Sequence, residues 1–255
     1  MPDLQPLAEG VYGATKLFHP ARNLYTNAGF IVIGRNIVHI DAGMTTKDGE
    51  WLLSQSMKIA AVKNPKLWLI LTHHHSDHIF GMRPFKEAGA RIVAHEDLRK
   101  FLSKRMPPFF KTGINTTKSY VIKFMVERFS YTKENAEKML EGVKLFLPDE
   151  TFTDEKTLQL DGDELLLLHT PGHASSEISV YHHTSKTLFA GDTVYEGRIL
   201  TTRFGGLREW KQWIRSLEKL ELMEIDRIVP GHGIICEKSE IRKNIEYLKK
   251  LSKRR

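Results

Sequence analysis

The sequence has little cysteine and no long hydrophobic run. A single thiol, Cys236, excludes an internal disulfide bond. A membrane-spanning helix needs roughly 18 consecutive apolar residues, whereas the longest apolar runs, at 30–33 and 165–168, have only the length of a strand. The N-terminus has no basic start followed by an apolar stretch, so we expect neither a signal peptide nor membrane association. These absences predict a cytoplasmic protein.

Positive charge is abundant but unevenly placed. The net charge of +7 comes from residues 99–144, which contribute +7, and residues 238–255, which contribute +6, so the remaining chain is negative by six. Both basic segments have helical patterns, and a basic face turned to solvent is the simplest interpretation. Phosphate contacts by the middle segment are the alternative, so nucleic acid is kept as a less favoured partner.

Hydrophobic periodicity predicts two halves of similar design. The first half has strands at 27–33, 37–41, 67–71 and 91–94, with helices at 46–62 and about 79–88. The second half has strands at 157–160, 164–169, 178–182, 187–190 and 225–229, with helices at 207–220 and 239–252. Central strands with outer helices, repeated twice, predict an α+β fold, a four-layer αββα sandwich.

The segment at about 97–147 does not follow this strand-and-helix rhythm. Its pattern is helical, and it contains the aromatic run Pro107-Pro108-Phe109-Phe110 followed by Tyr120, Phe124 and Phe129. We interpret it as a helical insertion whose aromatics serve mainly internal packing, with substrate contact as the alternative. Residues 1–255 are otherwise expected to form one domain.

Four turns that follow strands supply groups able to bind metal ions. His73 and His75 flank one residue, so in extended backbone both can face one ion, while His74 points elsewhere. Asp77 and His78 follow where the chain turns into a helix and can face a second ion. Further candidates follow in three other turns, namely His173, Asp192 and His232. Imidazole and carboxylate suit zinc, with iron, manganese and cobalt as alternatives.

The pattern His-x-His-x-Asp-His, followed by Gly-His, Gly-Asp and Gly-His, resembles the metallo-β-lactamase superfamily, whose fold is an αββα sandwich. The resemblance implies two divalent ions, the first held by His73, His75 and His173 and the second by Asp77, His78 and His232. It also implies that Asp192 bridges the ions, and that Asp41, in the family's early aspartate position, orients a ligand.

The same resemblance separates subtypes. The commonest β-lactamase subclasses have a cysteine ligand where this chain has Asp192, and Cys236 follows His232, so we expect Cys236 to be a small buried residue. Flavodiiron proteins have glutamate in the position of His75, so we do not expect an oxygen-reducing diiron role for this chain. Tyr195, three residues after Asp192, is similar to a tyrosine of acyl-homoserine lactonases that contacts the substrate carbonyl. A role of Tyr195 in packing alone is an equally favoured alternative.

The expected function is therefore hydrolysis of an ester, lactone, thioester or related bond in a small-molecule substrate. The resemblance implies a metal-bridging hydroxide as the nucleophile, with Tyr195 at the developing oxyanion and Asp77 as proton carrier. Two alternatives stay open: a phosphodiesterase or nuclease on the same dinuclear site, and a persulfide dioxygenase with one iron held by residues such as His73 and Asp192. Oligomeric state is also open, with a homo-oligomer as one outcome.

Overall fold

Seven strands form the first sheet in the computed structural model, which describes residues 1–21, 24–105, 115–197, 202 and 205–253. They are β1 (Asp3–Ala8), β2 (Val11–Leu17), β3 (Thr26–Ile33), β4 (Asn36–Ile40), β5 (Lys66–Leu71), β6 (Arg91–His95) and β7 (Glu150–Phe152), arranged in sequence order. The first four pair antiparallel, and β4 to β7 pair parallel. Because β4 and β5 are parallel neighbours, the turns after both strands lie at the same edge.

The second sheet has five strands in the order β12, β11, β10, β9, β8. They are β8 (Glu155–Leu160), β9 (Asp163–His169), β10 (Ile178–His182), β11 (Thr187–Gly191) and β12 (Arg227–Pro230). Only β11 and β12 pair parallel. Their carboxyl ends therefore also share one edge.

Helices cover the outer face of each sheet. They are α1 (Thr46–Ala60), α2 (Ser76–Ile79), a 3-10 turn (Phe80–Met82), α3 (Arg83–Glu87), α4 (Glu96–Arg105), α5 (Asn115–Phe129), α6 (Lys133–Leu140), α7 (Leu207–Glu221) and α8 (Ser239–Ser252). Leu52 of α1 and Phe85 of α3 pack on the first sheet. Trp213 of α7 and Ile245 of α8 pack on the second.

Alternation along the strands builds three apolar layers. In β5, Leu69 faces the helices of the first sheet, whereas Ile70 faces the second sheet. In β9, Leu167 faces the first sheet, whereas Leu168 faces α7 and α8. Successive side chains point to opposite faces of a strand, so near-continuous apolar runs bury both faces. This confirms the predicted αββα sandwich.

The sequence did not predict the N-terminal strands β1 and β2 or the short strand β7. Pro6 lies in β1, which is the edge strand of its sheet, where a residue without an N–H is tolerated. The helix predicted at about 79–88 begins earlier, at Ser76, and is divided into α2, the 3-10 turn and α3. Boundaries elsewhere differ by a few residues at most.

Helices α4, α5 and α6 occupy the described part of segment 97–147. Leu98, Val121 and Met139 join the apolar layer on the first sheet, while Phe129 is exposed and stacks on Tyr131 with ring centroids 5.7 Å apart. The aromatic run at 107–110 and the side chains at 120 and 124 lie outside the described residues. Within the described chain, every helix is too short or too polar to span a bilayer.

Candidate metal centre

Five histidines and two aspartates meet at the edge of the sandwich where the strands end. Their ligand atoms form two sets, and within each set they lie within 4.8 Å of one another. The first set contains His73, His75, His173 and Asp192, and the second contains Asp77, His78 and His232. All seven side chains nominated from the sequence are therefore brought together.

Ring nitrogens of the first set converge on one point. His75 Nδ1 lies 3.0 Å from His73 Nε2 and 3.0 Å from His173 Nε2, and the latter atom lies 3.2 Å from Asp192 Oδ2. Burial lowers the pKa of His75 to about 4 and that of His173 to about 3, and it lowers the pKa of His73 well below its ordinary value. These rings are neutral at pH 7 and present lone pairs.

The two histidines of the second set, in contrast, are protonated at pH 7. His232 Nε2 lies 3.2 Å from Asp77 Oδ2, and His78 Nε2 lies 3.7 Å from the same oxygen. Burial disfavours charge on both rings, but Asp41 raises the pKa of His78 well above its ordinary value, and Asp192 raises that of His232 to about 10. Burial would likewise raise the pKa of Asp77, yet the charges of His78 and His232 lower it.

Asp192 belongs to the first set and also lies close to the second. Its Oδ1 is 3.4 Å from His78 Nε2, and its Oδ2 is 3.5 Å from His232 Nε2. Both His78 Nε2 and Asp192 Oδ1 are buried without a hydrogen-bond partner among the described residues. Buried polar atoms are normally satisfied, and imidazole and carboxylate are ligands of divalent cations. The donor set therefore fits two such ions.

The turns after β4 and β5 are locked to each other through Asp41. This residue adopts a left-handed backbone with φ of 61°, which aspartate tolerates better than most residues. Its carboxylate accepts from Thr72 N at 2.8 Å and Thr72 Oγ1 at 2.7 Å, and its Oδ2 lies 2.7 Å from His78 Nδ1. Asp41 therefore contacts the His78 ring directly, and the role implied for it by the superfamily resemblance, orienting a metal ligand, stays a prediction.

Glycine before each of the later histidines reflects close packing. A Cβ on Gly172 would lie 2.2 Å from Cβ of Trp213, and one on Gly231 would lie 2.0 Å from Asp192 Oδ1. The second sheet is held to the first at this edge because Asn27 Nδ2 donates to Pro230 O at 2.9 Å. Any side chain at Gly231 would displace the carboxylate that lies between the two sets.

His74 and Cys236 lie outside both ligand sets. His74 Nδ1 is 2.8 Å from Ser176 Oγ, and its ring stacks on Phe101 with centroids 4.2 Å apart. Cys236 is a buried free thiol in the apolar layer beneath α7 and α8, and burial raises its pKa to about 12. A thiol so held is protonated, and the thiolate is the form that binds metals.

Tyr195 faces the ligands rather than open solvent. It is 3% exposed, and its hydroxyl donates to Asp192 Oδ2 at 2.6 Å. Asn244 of α8 fixes its backbone, accepting from Tyr195 N and donating to Tyr195 O at 2.8 Å each. Contact with a substrate carbonyl stays a prediction.

The sequence did not predict two residues that lie beside the site, His19 and Glu177. His19 Nε2 lies 3.8 Å from Asp77 Oδ2, while its Nδ1 accepts from Ala21 N at 3.0 Å; burial lowers its pKa to about 4. Glu177 is fully buried, with its Oε1 3.4 Å from His73 Nδ1. Neither belongs to a recurring short motif, so only tertiary structure identifies them.

An open cleft of about 470 Å³ reaches the first set. His75 and His173 form part of its wall, and polar groups come from Ser175, Arg208, Glu209 and Gln212. The cleft gives a small molecule access to the ligand atoms.

A family model described as the metallo-beta-lactamase superfamily matches residues 21–232. The chain belongs to the metallo-β-lactamase superfamily. As a member of this group of metal-dependent hydrolases, the protein is an enzyme.

Curated relatives include a hydroxyacylglutathione hydrolase and an acyl-coenzyme A thioesterase. "Hydroxyacylglutathione hydrolase GloC" of Haemophilus influenzae is 30% identical over 169 residues, covering 65% of this chain and 68% of that protein. "Acyl-coenzyme A thioesterase MBLAC2" of Homo sapiens is 24% identical over 243 residues, covering 89% and 79%. The chain spans 62% of the length of a further relative, matched at 25% identity.

Solved structures confirm the superfamily fold. The "Metallo-beta-lactamase from Pontibacter korlensis" superposes with a TM-score of 0.71 and 18% identity, covering 98% of this chain and 99% of that one. At this identity the likeness concerns the fold alone.

Proposed function

We propose that this enzyme hydrolyses a small-molecule thioester or related ester at a centre of two divalent ions, zinc being the best suited. The observation that carries the proposal is the pair of ligand sets with Asp192 between them. The reaction class agrees with the names of the GloC and MBLAC2 relatives.

Each ion has its own ligands in this proposal. His73, His75 and His173 would hold the first, and Asp77, His78 and His232 the second. Asp192 would serve both, because its Oδ1 faces His78 while its Oδ2 faces His173. Aspartates in the set offset the charge of the cations.

When bound, two dications would supply a water molecule of lowered pKa and would polarise a substrate carbonyl. The protein's own groups then hold this arrangement in place. Tyr195 restrains Asp192 through its hydroxyl, and Asp41 fixes the ring of His78. Asp77, ionised and directed at His232 Nε2, is the carboxylate best placed to carry a proton to the leaving group.

The cleft beside the first set supports a polar substrate. Arg208 is exposed on its wall and has no ion-pair partner in the part of the chain that the structure describes. Gln212 of the same helix adds an amide, and the carboxylate of Glu209, which also lines the cleft, accepts from Gly206 N at 2.8 Å at the start of the helix. We therefore favour a thioester whose carrier portion bears a carboxylate or phosphate, groups that guanidinium recognises.

The test combines metal content with a substrate panel. Purified protein is expected to contain up to two zinc ions and to cleave acidic thioesters faster than phosphodiesters, lactones or β-lactams. His73→Ala should lose metal and hydrolysis together, whereas His183→Ala, which changes an exposed histidine away from the site, should keep both. Hydrolysis by metal-free protein would refute the proposal, and so would iron-dependent oxygen consumption without hydrolysis.

A further inference from the structure

Four buried carboxylates surround the five histidines of the site. Asp77 and Asp192 belong to the ligand sets, whereas Asp41 and Glu177 stand behind them. Asp41 backs a histidine of the second set, since its Oδ2 lies 2.7 Å from His78 Nδ1. This leaves a fully buried glutamate with no role in the proposed reaction.

Glu177 contacts two members of the first set. Its Oε1 accepts from Asp192 N at 3.0 Å and lies 3.4 Å from His73 Nδ1. Its Oε2 is buried with no hydrogen-bond partner within the described residues. A carboxylate so poorly satisfied costs folding free energy, so a purely structural role does not account for it.

The surrounding backbone makes room for this side chain. Gly191 has φ of 52°, and a Cβ there would lie 2.4 Å from Glu177 Oε1. The strand that begins after Glu177 is tied to the ligand turn, because Ile178 N donates to Thr72 O at 2.9 Å. Glu177 is therefore held against the ligand turns by both sheets.

The acceptors around His73 fix the position of its ring proton. Thr72 Oγ1 donates to Asp41, so towards His73 Nδ1, 3.1 Å away, it can only accept. Glu177 Oε1 is a second acceptor on the same side. With the proton on Nδ1, the lone pair of Nε2 is directed at the ligand set.

We propose that Glu177 is a positioning residue, which orients His73 and the Asp192 turn for the first ion as Asp41 orients His78 for the second. The inference rests on the proposed metal centre. Burial and the neighbouring charge of Asp192 raise the pKa of Glu177 well above its ordinary value, and bound cations would offset this and favour the carboxylate form. A carboxylate behind a ligating histidine holds the orientation of the ring and increases its basicity.

The variant Glu177→Gln tests this with two readouts other than activity. It is made in a His232→Ala background, which weakens the second set, and zinc affinity is measured by competition with a chromophoric chelator. We expect affinity to fall about 10-fold or more, while the melting temperature of the chelator-treated protein is unchanged or higher. Glu164→Gln, which changes a half-buried glutamate on β9 outside the site, is the matched control and should change neither.

Each outcome bears on one hypothesis. If the His232→Ala protein and the wild type bind no zinc, the proposed function fails. If both bind zinc and Glu177→Gln binds it equally tightly, only the positioning role is overturned. Should Glu177→Gln not fold, Glu177→Asp keeps the charge and shortens the reach; wild-type affinity in this variant would also overturn the inference.

Discussion

The hydroxyl of Tyr195 donates to Asp192 Oδ2 over 2.6 Å, and both residues are almost fully buried. Hydrogen bonds to a charged acceptor are stronger than neutral ones, so this contact restrains the carboxylate that lies between the two ligand sets. Because α8 anchors the Tyr195 backbone through Asn244, the restraint comes from an element outside the ligand turns.

Tyr195→Phe should lower kcat about 10-fold, because losing a hydrogen bond to a charged group costs roughly 1.5 kcal/mol. Zinc content should stay near that of the wild type, since the ligands themselves remain. Tyr181→Phe is the control, because that hydroxyl donates to Glu224 O away from the site. An unchanged kcat in Tyr195→Phe would show that Tyr195 serves only in packing.

Metal loading should release protons unequally. At pH 7.5 the histidines of the first set are neutral, because the pKa values of His75 and His173 lie at about 4 and about 3 and that of His73 is lowered well below its ordinary value. In the second set the pKa of His78 is raised and that of His232 is about 10, so both rings must lose a proton before binding metal. The affinity of the second set should therefore rise with pH.

Isothermal titration calorimetry in buffers of different ionisation enthalpy measures this release. The first zinc equivalent should release close to no protons, because neutral imidazoles bind it without competition. The second should release about two, one from each ring of the second set. Equal release in both steps would contradict the assigned protonation states.

The ligands could be predicted from sequence because each is marked locally. His173 and His232 follow Pro-Gly turns directly after strands, and Gly231 is required by its approach to Asp192. Strand alternation and turn residues are short-range signals, so they also predicted most of the sandwich. Superfamily resemblance then added the pairing of ligands into two sets.

His19 and Glu177 could not be predicted because they act through contacts between distant segments. His19 follows β2, a strand with Gly13 and few branched residues whose stability comes from its neighbours in the sheet. Glu177 lies beside His73 only because β10 is tied to the turn after β5. Tertiary pairing, rather than local propensity, creates both positions.

His39 should make the fold sensitive to acid. Its Nδ1 donates to Trp68 O at 3.2 Å, its Nε2 lies 2.7 Å from Ser56 Oγ, and burial lowers its pKa to about 4. The unfolded chain, with a histidine pKa near 6.5, then binds more protons than the native state between pH 6.5 and 4. Stability is thus lost as pH falls through this window, by about 3 kcal/mol for this residue.

His39→Asn keeps a donor for the carbonyl but does not titrate. Urea unfolding of chelator-treated protein at pH 7.5 and pH 4 should show that the variant loses about 3 kcal/mol less than the wild type. The buried histidines of the site are common to both proteins, so their contribution cancels. Parallel losses would show that His39 keeps its ordinary pKa in the folded protein.

Arg208 should select for acidic substrates. It lies exposed on the wall of the cleft that reaches His75 and His173, where a carboxylate or phosphate on the carrier portion of a thioester would meet it. Arg208→Gln should raise KM for such a substrate about fivefold, as expected for a solvent-exposed ion pair, and leave kcat nearly unchanged. The effect should shrink at high salt, because exposed charges are screened. A neutral ester should be cleaved equally well by both proteins.

The control is Arg215→Gln, which changes an exposed arginine of the same helix that does not line the cleft. This variant should match the wild type on either substrate. Equal KM values for Arg208→Gln and Arg215→Gln would show that the carrier portion of the substrate binds elsewhere.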